Sequence, residues 1–355
     1  MPAAHSPGRK NMTEIRLVHT DTLSCEPIVR RMSDGSLLMV AQCGDTCEPA
    51  PRNRVYFFHS YDDGETWSAQ RSICPENGSA VYCTEVACFD ERVVAYLTLH
   101  NGQFFNWRSV VMSSTDCGHT WMDEGAFPGL ETYTFMRGKI VLANGDILIP
   151  YQRYPVSAAE NERLVAKYGG KYRPNGKLTY VGLTDVDIDH VDNGVALSHD
   201  GGRTFSICPC PPLPMRGETG LQWVWSEPTI AELPDGRVAM LIRVTKDVLW
   251  YSESRDGGRT WSDFSKTDIP NPSCKPKLIG LGDGRIALIH DPDSQKRNPL
   301  AVWISDDGMK TWGRREVISD FPLNFDYPDG FYENGKLYIS IELQRRDILL
   351  IKHLV

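Results

Sequence analysis

Residues Trp225–Ser262 read WSEPTIAELPDGRVAMLIRVTKDVLWYSESRDGGRTWS, and the stretch parses as a small antiparallel meander. Thr229 to Leu233 runs into a Pro-Asp-Gly turn at Pro234 to Gly236, followed by Val238 to Arg243, a polar break, and Val248 to Glu253. The segment Arg255 to Trp261 then reads as a fourth strand. Asp-Gly and Gly-Gly between apolar, β-branched runs are hairpin signals, because tight turns need a positive φ that glycine takes without steric cost. Four short strands in one such unit are the size of a propeller blade.

The unit repeats. Its tail, Ser-x-Asp-x-Gly-x-Thr-Trp, recurs as SYDDGETW at Ser60–Trp67, STDCGHTW at Ser114–Trp121, SHDGGRTF at Ser198–Phe205 and SRDGGRTW at Ser254–Trp261. A fifth copy, SDDGMKTW at Ser305–Trp312, has its glycine one place early, at Gly308. The upstream turns are Asp34-Gly35, Asn144-Gly145, Asp235-Gly236, Asp283-Gly284 and Asn334-Gly335, with Asp90-Glu91 as a degenerate sixth. Six upstream halves predict an all-β, six-bladed propeller of four-stranded antiparallel blades. The last blade lacks a tail, so Ile15–His19 is the natural strand to complete it and close the ring, which removes exposed sheet edges.

The repeated tail is similar to the Asp box of the sialidase superfamily, and five boxes in phase with the hairpin turns cover the chain from Ile15 to Val355. The resemblance implies that the boxes lie at the blade periphery. Asp62, Asp116, Asp200, Asp256 and Asp307 are then structural, accepting hydrogen bonds from turn amides while the aromatic residue fills the gap between blades.

The rest of the composition narrows the function. A net charge of −8 argues against nucleic acid or an anionic membrane as partner, and no apolar run is long enough to span a bilayer. MPAAHSPGRKNM lacks an apolar core and reads as a disordered lead over residues 1–12, ahead of one propeller over 13–355; this predicts a cytoplasmic protein. The ten cysteines show no metal spacing and read as reduced thiols. No spacing implies a metal or organic cofactor.

One insertion, residues 154–193 in blade three, breaks the blade period. Val156–Tyr168 has helical composition, and the segment could serve as a lid or as a homo-oligomer contact. Asp185, Asp187, Asp189 and Asp192 within it lack the glycine and terminal glutamate of a calcium loop, and read as a solvated acidic stretch.

Chemistry is expected where the inner strands converge on the axis. Nine residues before each turn glycine stand Glu26, Met136, Glu227, Lys275 and Asp326, four of them ionisable on otherwise apolar strands. The second strands end in another polar ring: Gln42, His100, Gln152 with Arg153, Arg243, His290 with Asp291, and Glu342. Together with Arg137, the rings describe a charged pocket suited to an acidic sugar. Trp223 and Trp225 could stack on a sugar face or pack between blades.

The resemblance implies roles for these residues. In retaining sialidases three arginines clamp the substrate carboxylate, a tyrosine activated by a glutamate is the nucleophile, and an aspartate after the first blade's second strand is the acid/base, an exception to the usual two-carboxylate scheme. Glu227-Pro228, Asp235-Gly236 and Arg243 match the family's fourth-blade pattern, Arg297 its third arginine and Tyr327 its nucleophile. Cys25 stands where the first arginine is expected, and Asp45, with Glu48 behind it, is the nearest acid/base candidate. The expected function is a sialidase-like exo-glycoside hydrolase. A glycosidase or lyase acting on another sugar through Glu26 or Asp45 with Glu227, and a non-catalytic carbohydrate-binding propeller, remain the alternatives.

Overall fold

The hairpin turns show how the strands are connected. Around Gly35, Gly145, Gly236 and Gly284 a turn is closed by a left-handed glycine, with φ between 82° and 88°. Asn334-Gly335 instead has both residues left-handed, φ 50° and 82°, a turn whose twist matches that of the flanking strands. In the computed structural model, which describes residues 12–73, 80–90, 92–100, 102, 106–168, 186–214, 225–244 and 246–355, these turns join strands into six antiparallel sheets.

Blade four is representative, with strands Glu227–Glu232, Val238–Arg243, Lys246–Ser254 and Ser265–Pro272 in sequence order from axis to rim. The segment Arg255–Trp261 is therefore not the fourth strand expected from the sequence; it is the loop leading to it. Blade six combines Phe325–Glu333, Lys336–Leu343 and Asp347–Leu354 with Thr13–Thr20, which pairs antiparallel with Asp347–Leu354. The architecture is an all-β six-bladed propeller of four-stranded sheets, with two short strands, Ile140–Val141 and Leu213–Pro214, added to blade three.

The core is divided among the gaps between blades. Alternation along each strand sends one set of side chains to each neighbouring blade. Thus Ile28, Leu38 and Val40 of the first sheet meet Val81, Val86 and Val93 of the second. Val29, Leu37 and Met39 meet Tyr338, Ile348 and Leu350 of the sixth.

The five box aspartates share one geometry. In each, Oδ1 accepts the serine hydroxyl at 2.7–2.8 Å and the threonine amide at 2.8–2.9 Å, while Oδ2 accepts the threonine hydroxyl at 2.6–2.7 Å. The serine oxygen in turn accepts the amide of the fourth residue on, which is Gly64, Gly118, Gly202, Gly258 or Met309. Met309 keeps the left-handed backbone, φ 66°, so the shifted glycine of the fifth copy leaves the loop unchanged. A Cβ on Gly202 would lie 2.2 Å from the Phe89 ring of the preceding blade, so the box also sets how closely blades approach.

The insertion holds the helix Ala158–Tyr168, whose first turn is capped by the Ser157 hydroxyl accepting the Glu160 amide at 3.1 Å. Leu164 is fully buried in the apolar cluster shared by blades two, three and four, and Glu160 accepts the Asp187 amide at 2.7 Å, tying the returning chain to the helix. The third strand of blade three begins at His190, inside the range read as insertion. Asp189 and Asp192 flank the ring of His190, and Asp185 lies outside the described residues. No described helix is long and apolar enough to cross a membrane. The lead before Met12 lies outside the described residues.

Candidate active site

Two interruptions of the inner strands set the site. Pro27 and Pro328 have no N–H to give the ladder, and at both places the pairing breaks into a bulge, between Cys25 and Ile28 and between Asp326 and Asp329. The residue before each proline, Glu26 and Tyr327, is left-handed, with φ 47° and 55°. Bulges re-aim side chains, and held positive φ values at non-glycine residues cluster at functional sites.

Glu227 is the centre of the charge network. It is 1% exposed, and its two oxygens take different arginines: Oε2 accepts Nη1 of Arg243 at 2.7 Å, and Oε1 accepts Nη2 of Arg137 at 3.4 Å. Burial alone would raise its pKa, but the Arg243 and Arg137 charges outweigh burial and hold it below the usual carboxylate value. The other η nitrogen of Arg137 binds Oε2 of Glu26 at 2.8 Å. Glu26 and Glu227 are therefore joined through a single guanidinium, steadied by Oε1 of Gln152 at 3.4 Å.

The Tyr327 hydroxyl is the second acceptor of Arg243 Nη1, at 2.9 Å. Burial, reinforced by the Glu227 and Glu26 charges, keeps the phenol pKa well above its ordinary value despite Arg243 and Arg297. Its ring lies under three cations: Lys275 Nζ at 5.8 Å, and the guanidinium carbons of Arg243 and Arg297 at 5.9 and 6.0 Å from the centroid. Arg297 donates to Asp326 Oδ1 and to the Ser273 carbonyl, both at 2.7 Å, while Arg243 Nε reaches Ser273 Oγ at 3.1 Å. Ser273 thus sets both guanidinium planes. Lys275 is 5% exposed, and burial lowers its pKa.

Tyr327, Glu227, Glu26, Arg243, Arg297, Arg137 and Lys275 are brought together. Asp45 stands apart: its carboxylate accepts the Thr46 amide at 2.9 Å and faces Arg52 at 3.4 Å, with 7% of the side chain exposed. His100 lies one layer out, against Tyr82 at 4.4 Å between centroids, with Nδ1 accepting the Gly102 amide and burial pushing its pKa down to about 3. It borders a separate cavity of about 580 Å³ with Trp107, Tyr133 and Asn161. Trp225 packs edge-on against Tyr154 at 6.1 Å, while Trp223 lies outside the described residues. Met136 is 4% exposed in the core between blades two and three, so in blade three the axial charge comes from its neighbour Arg137.

A family profile described as BNR repeat-like domain matches residues 77–339. The chain belongs to this family. Among solved structures, the Hadza microbial sialidase Hz136 aligns at TM-score 0.69 and 16% identity over 95% of this chain and 66% of its own. A Dyadobacter fermentans protein of unknown function aligns at 0.67 and 14% over 97% of this chain and all of its own. Trypanosoma rangeli sialidase in complex with the inhibitor DANA aligns at 0.63 and 15% over 95% of this chain and 55% of that one. The chain thus spans 66% and 55% of the two sialidases' lengths, and at these identities the likeness is one of fold. No curated protein sequence matches the chain.

The fold is a six-bladed BNR propeller, alike in fold to the sialidases it aligns with. A charged group that sequence reading passed over is Arg345, in the turn between the second and third strands of blade six. Its guanidinium pairs with Glu48, whose Oε2 also accepts the Cys25 thiol at 3.4 Å. Glu342, fully buried, accepts the Glu26 amide at 2.7 Å, and burial raises its pKa well above the ordinary value. In sequence this turn carries only Gln-Arg-Arg and no glycine, although Gln344 and Arg345 are both left-handed, at φ 57° and 55°. Glycine would be the relaxed choice at such positions.

Proposed function

We propose that this BNR propeller is a sialidase-like exo-glycoside hydrolase, removing a terminal acidic sugar, sialic acid or a related 2-keto sugar acid, with Tyr327 as nucleophile. The observation carrying this reading is the single donor, Arg243 Nη1, that stands 2.7 Å from Glu227 Oε2 and 2.9 Å from the Tyr327 hydroxyl. One guanidinium aligns the phenol with a carboxylate able to take its proton. Because Glu227 is held ionised and Tyr327 neutral, the pair rests in the protonation states that a base and a latent nucleophile need.

The reaction follows from these groups. Arg243 and Arg297 bind the sugar carboxylate and orient the anomeric carbon above the Tyr327 oxygen. As the phenol oxygen bonds to that carbon, its proton passes to Glu227 and the bond to the aglycone oxygen breaks. The leaving oxygen takes a proton from a rim acid, a role assigned to Asp45 after movement of its loop. Water then displaces the tyrosyl sugar with overall retention. A neutral phenol also avoids setting a bare carboxylate against an anionic sugar.

The two-carboxylate alternative is disfavoured by Arg137. A sugar acted on by Glu26 and Glu227 would have to lie between them, and the guanidinium bonded to both fills that space. The test is hydrolysis of a methylumbelliferyl sialoside by the parent, Tyr327→Phe and Glu227→Gln proteins, with proton NMR of the first-formed sugar. Release by the parent alone, with retention, supports the reading. A parent inert towards every 2-keto acid glycoside tried sinks it.

A further inference from the structure

We propose that Arg345, from the turn of the last blade, supplies the carboxylate-binding cation that the first blade lacks. The inference rests on the acid-sugar reading above and concerns which residue completes the anion site.

The vacancy is at Cys25. It is completely buried, and burial keeps its thiol neutral, so it cannot hold an anion. Nor can Arg137 serve, since its guanidinium is the bridge between Glu26 and Glu227 and only 4% of its side chain is exposed, against 24% for Arg297. Lys275 is buried, its Nζ over the Tyr327 ring.

Arg345 reaches the place of Cys25 from another blade. Its carbonyl accepts the Ser24 amide at 3.0 Å, which fastens the turn of blade six to the strand of blade one immediately before Cys25. Its guanidinium and the Cys25 thiol meet on the same oxygen of Glu48. The charge of Arg345 acts on Cys25, Glu342 and Tyr327 as well as on Glu48. The turn is also anchored by the Gln344 amide on the Asn324 carbonyl at 3.0 Å, close before Tyr327 in the chain. The two left-handed residues, Gln344 and Arg345, are thus held by contacts on both sides.

Its hydrogen bonding suits a ligand-facing cation. Glu48 takes Nη2, and Nε stands 3.9 Å from Glu342 Oε1, too far for a hydrogen bond. Nη1 has no hydrogen-bond partner among the described residues, and 32% of the side chain is exposed. A guanidinium braced from behind by a carboxylate, with an η nitrogen left over, is pre-organised for an incoming anion. Arg243 and Arg297 lie over the Tyr327 ring, and Arg345 also interacts electrostatically with Tyr327, so a sugar carboxylate held by all three would be gripped from blades four, five and six.

The experiment compares the methylumbelliferyl sialoside with its methyl ester, which keeps the sugar but loses the negative charge, in parent, Arg345→Met, Arg345→Lys and Cys25→Arg/Arg345→Met proteins. Near-ultraviolet circular dichroism and Tm report folding. A carboxylate-binding Arg345 predicts a KM for the acid raised roughly 10- to 100-fold in Arg345→Met, as expected for a lost charged hydrogen bond. The ester should change little, Arg345→Lys should fall between, and Cys25→Arg should restore part of the loss. Equal weakening of acid and ester, or an unchanged KM in a folded Arg345→Met protein, overturns the inference and leaves the hydrolase reading standing. If Arg345→Met does not fold, Arg345→Lys decides on the same acid-to-ester ratio. A parent that neither cleaves the sialoside nor binds N-acetylneuraminic acid by calorimetry overturns both.

Discussion

Glu227 and Arg243 are register partners on adjacent strands of blade four, and their side chains close a 2.7 Å ion pair that is almost wholly buried. Glu227→Gln would leave Arg243 and Arg137 without their shared anion. Loss of one partner of a buried pair costs about 3–5 kcal/mol. The variant should therefore lose activity and also show a clearly lower denaturation midpoint, measured by urea titration.

Tyr327→Phe should behave differently. The hydroxyl's one described hydrogen bond is from Arg243, so removing it should cost stability only about 1 kcal/mol. Activity should fall on the order of 10³-fold or more, since the proposed nucleophile is lost. Wild-type-like melting with abolished turnover is the expected pair of results; retained turnover would remove Tyr327 from the mechanism.

The pH dependence of stability has two opposed parts. Glu227 has a folded pKa below its ordinary 4.5, so its stabilisation is present above that value and is lost as the pH falls through the lower folded pKa. Asp291 is the reverse. It is fully buried, and burial, eased only in part by the Cys274 thiol and Arg297, raises its pKa well above 3.8. The folded protein then holds a proton that the unfolded chain releases, so stability declines as pH rises above 3.8 towards the folded value. Asp291→Asn should flatten that decline, leaving Tm less dependent on pH between weakly acid and neutral solution.

The peripheral boxes should affect stability and leave KM alone. Gly201 and Gly202 are both left-handed, φ 74° and 82°, but an added Cβ meets nothing within 4 Å at Gly201 and the Phe89 ring at 2.2 Å at Gly202. Gly201→Ala should cost about 1–2 kcal/mol for backbone strain. Gly202→Ala should cost about 1–3 kcal/mol more through overpacking. Equal melting temperatures for the two would contradict the role given to the box in spacing blades.

The fold was legible because it is written repeatedly: Asp-Gly turns and serine–aspartate–threonine loops obey local rules, and each copy checks the others. The error was local too: the box Arg255–Trp261, rich in glycine and charge, spends its polar groups on an internal loop, and the fourth strand starts only at Ser265. The site was legible where it follows blade period, as at Glu227 and Lys275. It was not legible where the periodic position falls in the core or where charges arrive from another blade. Met136 shows the first failure, the periodic position being core while its neighbour Arg137 faces the axis. Arg345 shows the second, because nothing in local spacing ties a turn near residue 345 to a thiol at residue 25.

Blade six draws residues 13–20 and 325–354 into one sheet, and its seam with blade one carries the Glu26–Glu342, Arg345–Glu48 and Arg30–Asp329 contacts. A chain in which that seam has not formed would keep most of its secondary structure and yet lack the geometry that positions Glu26 and Tyr327. Turnover would then count closed rings rather than folded blades, and would fail earlier on heating than any spectroscopic measure of β-structure.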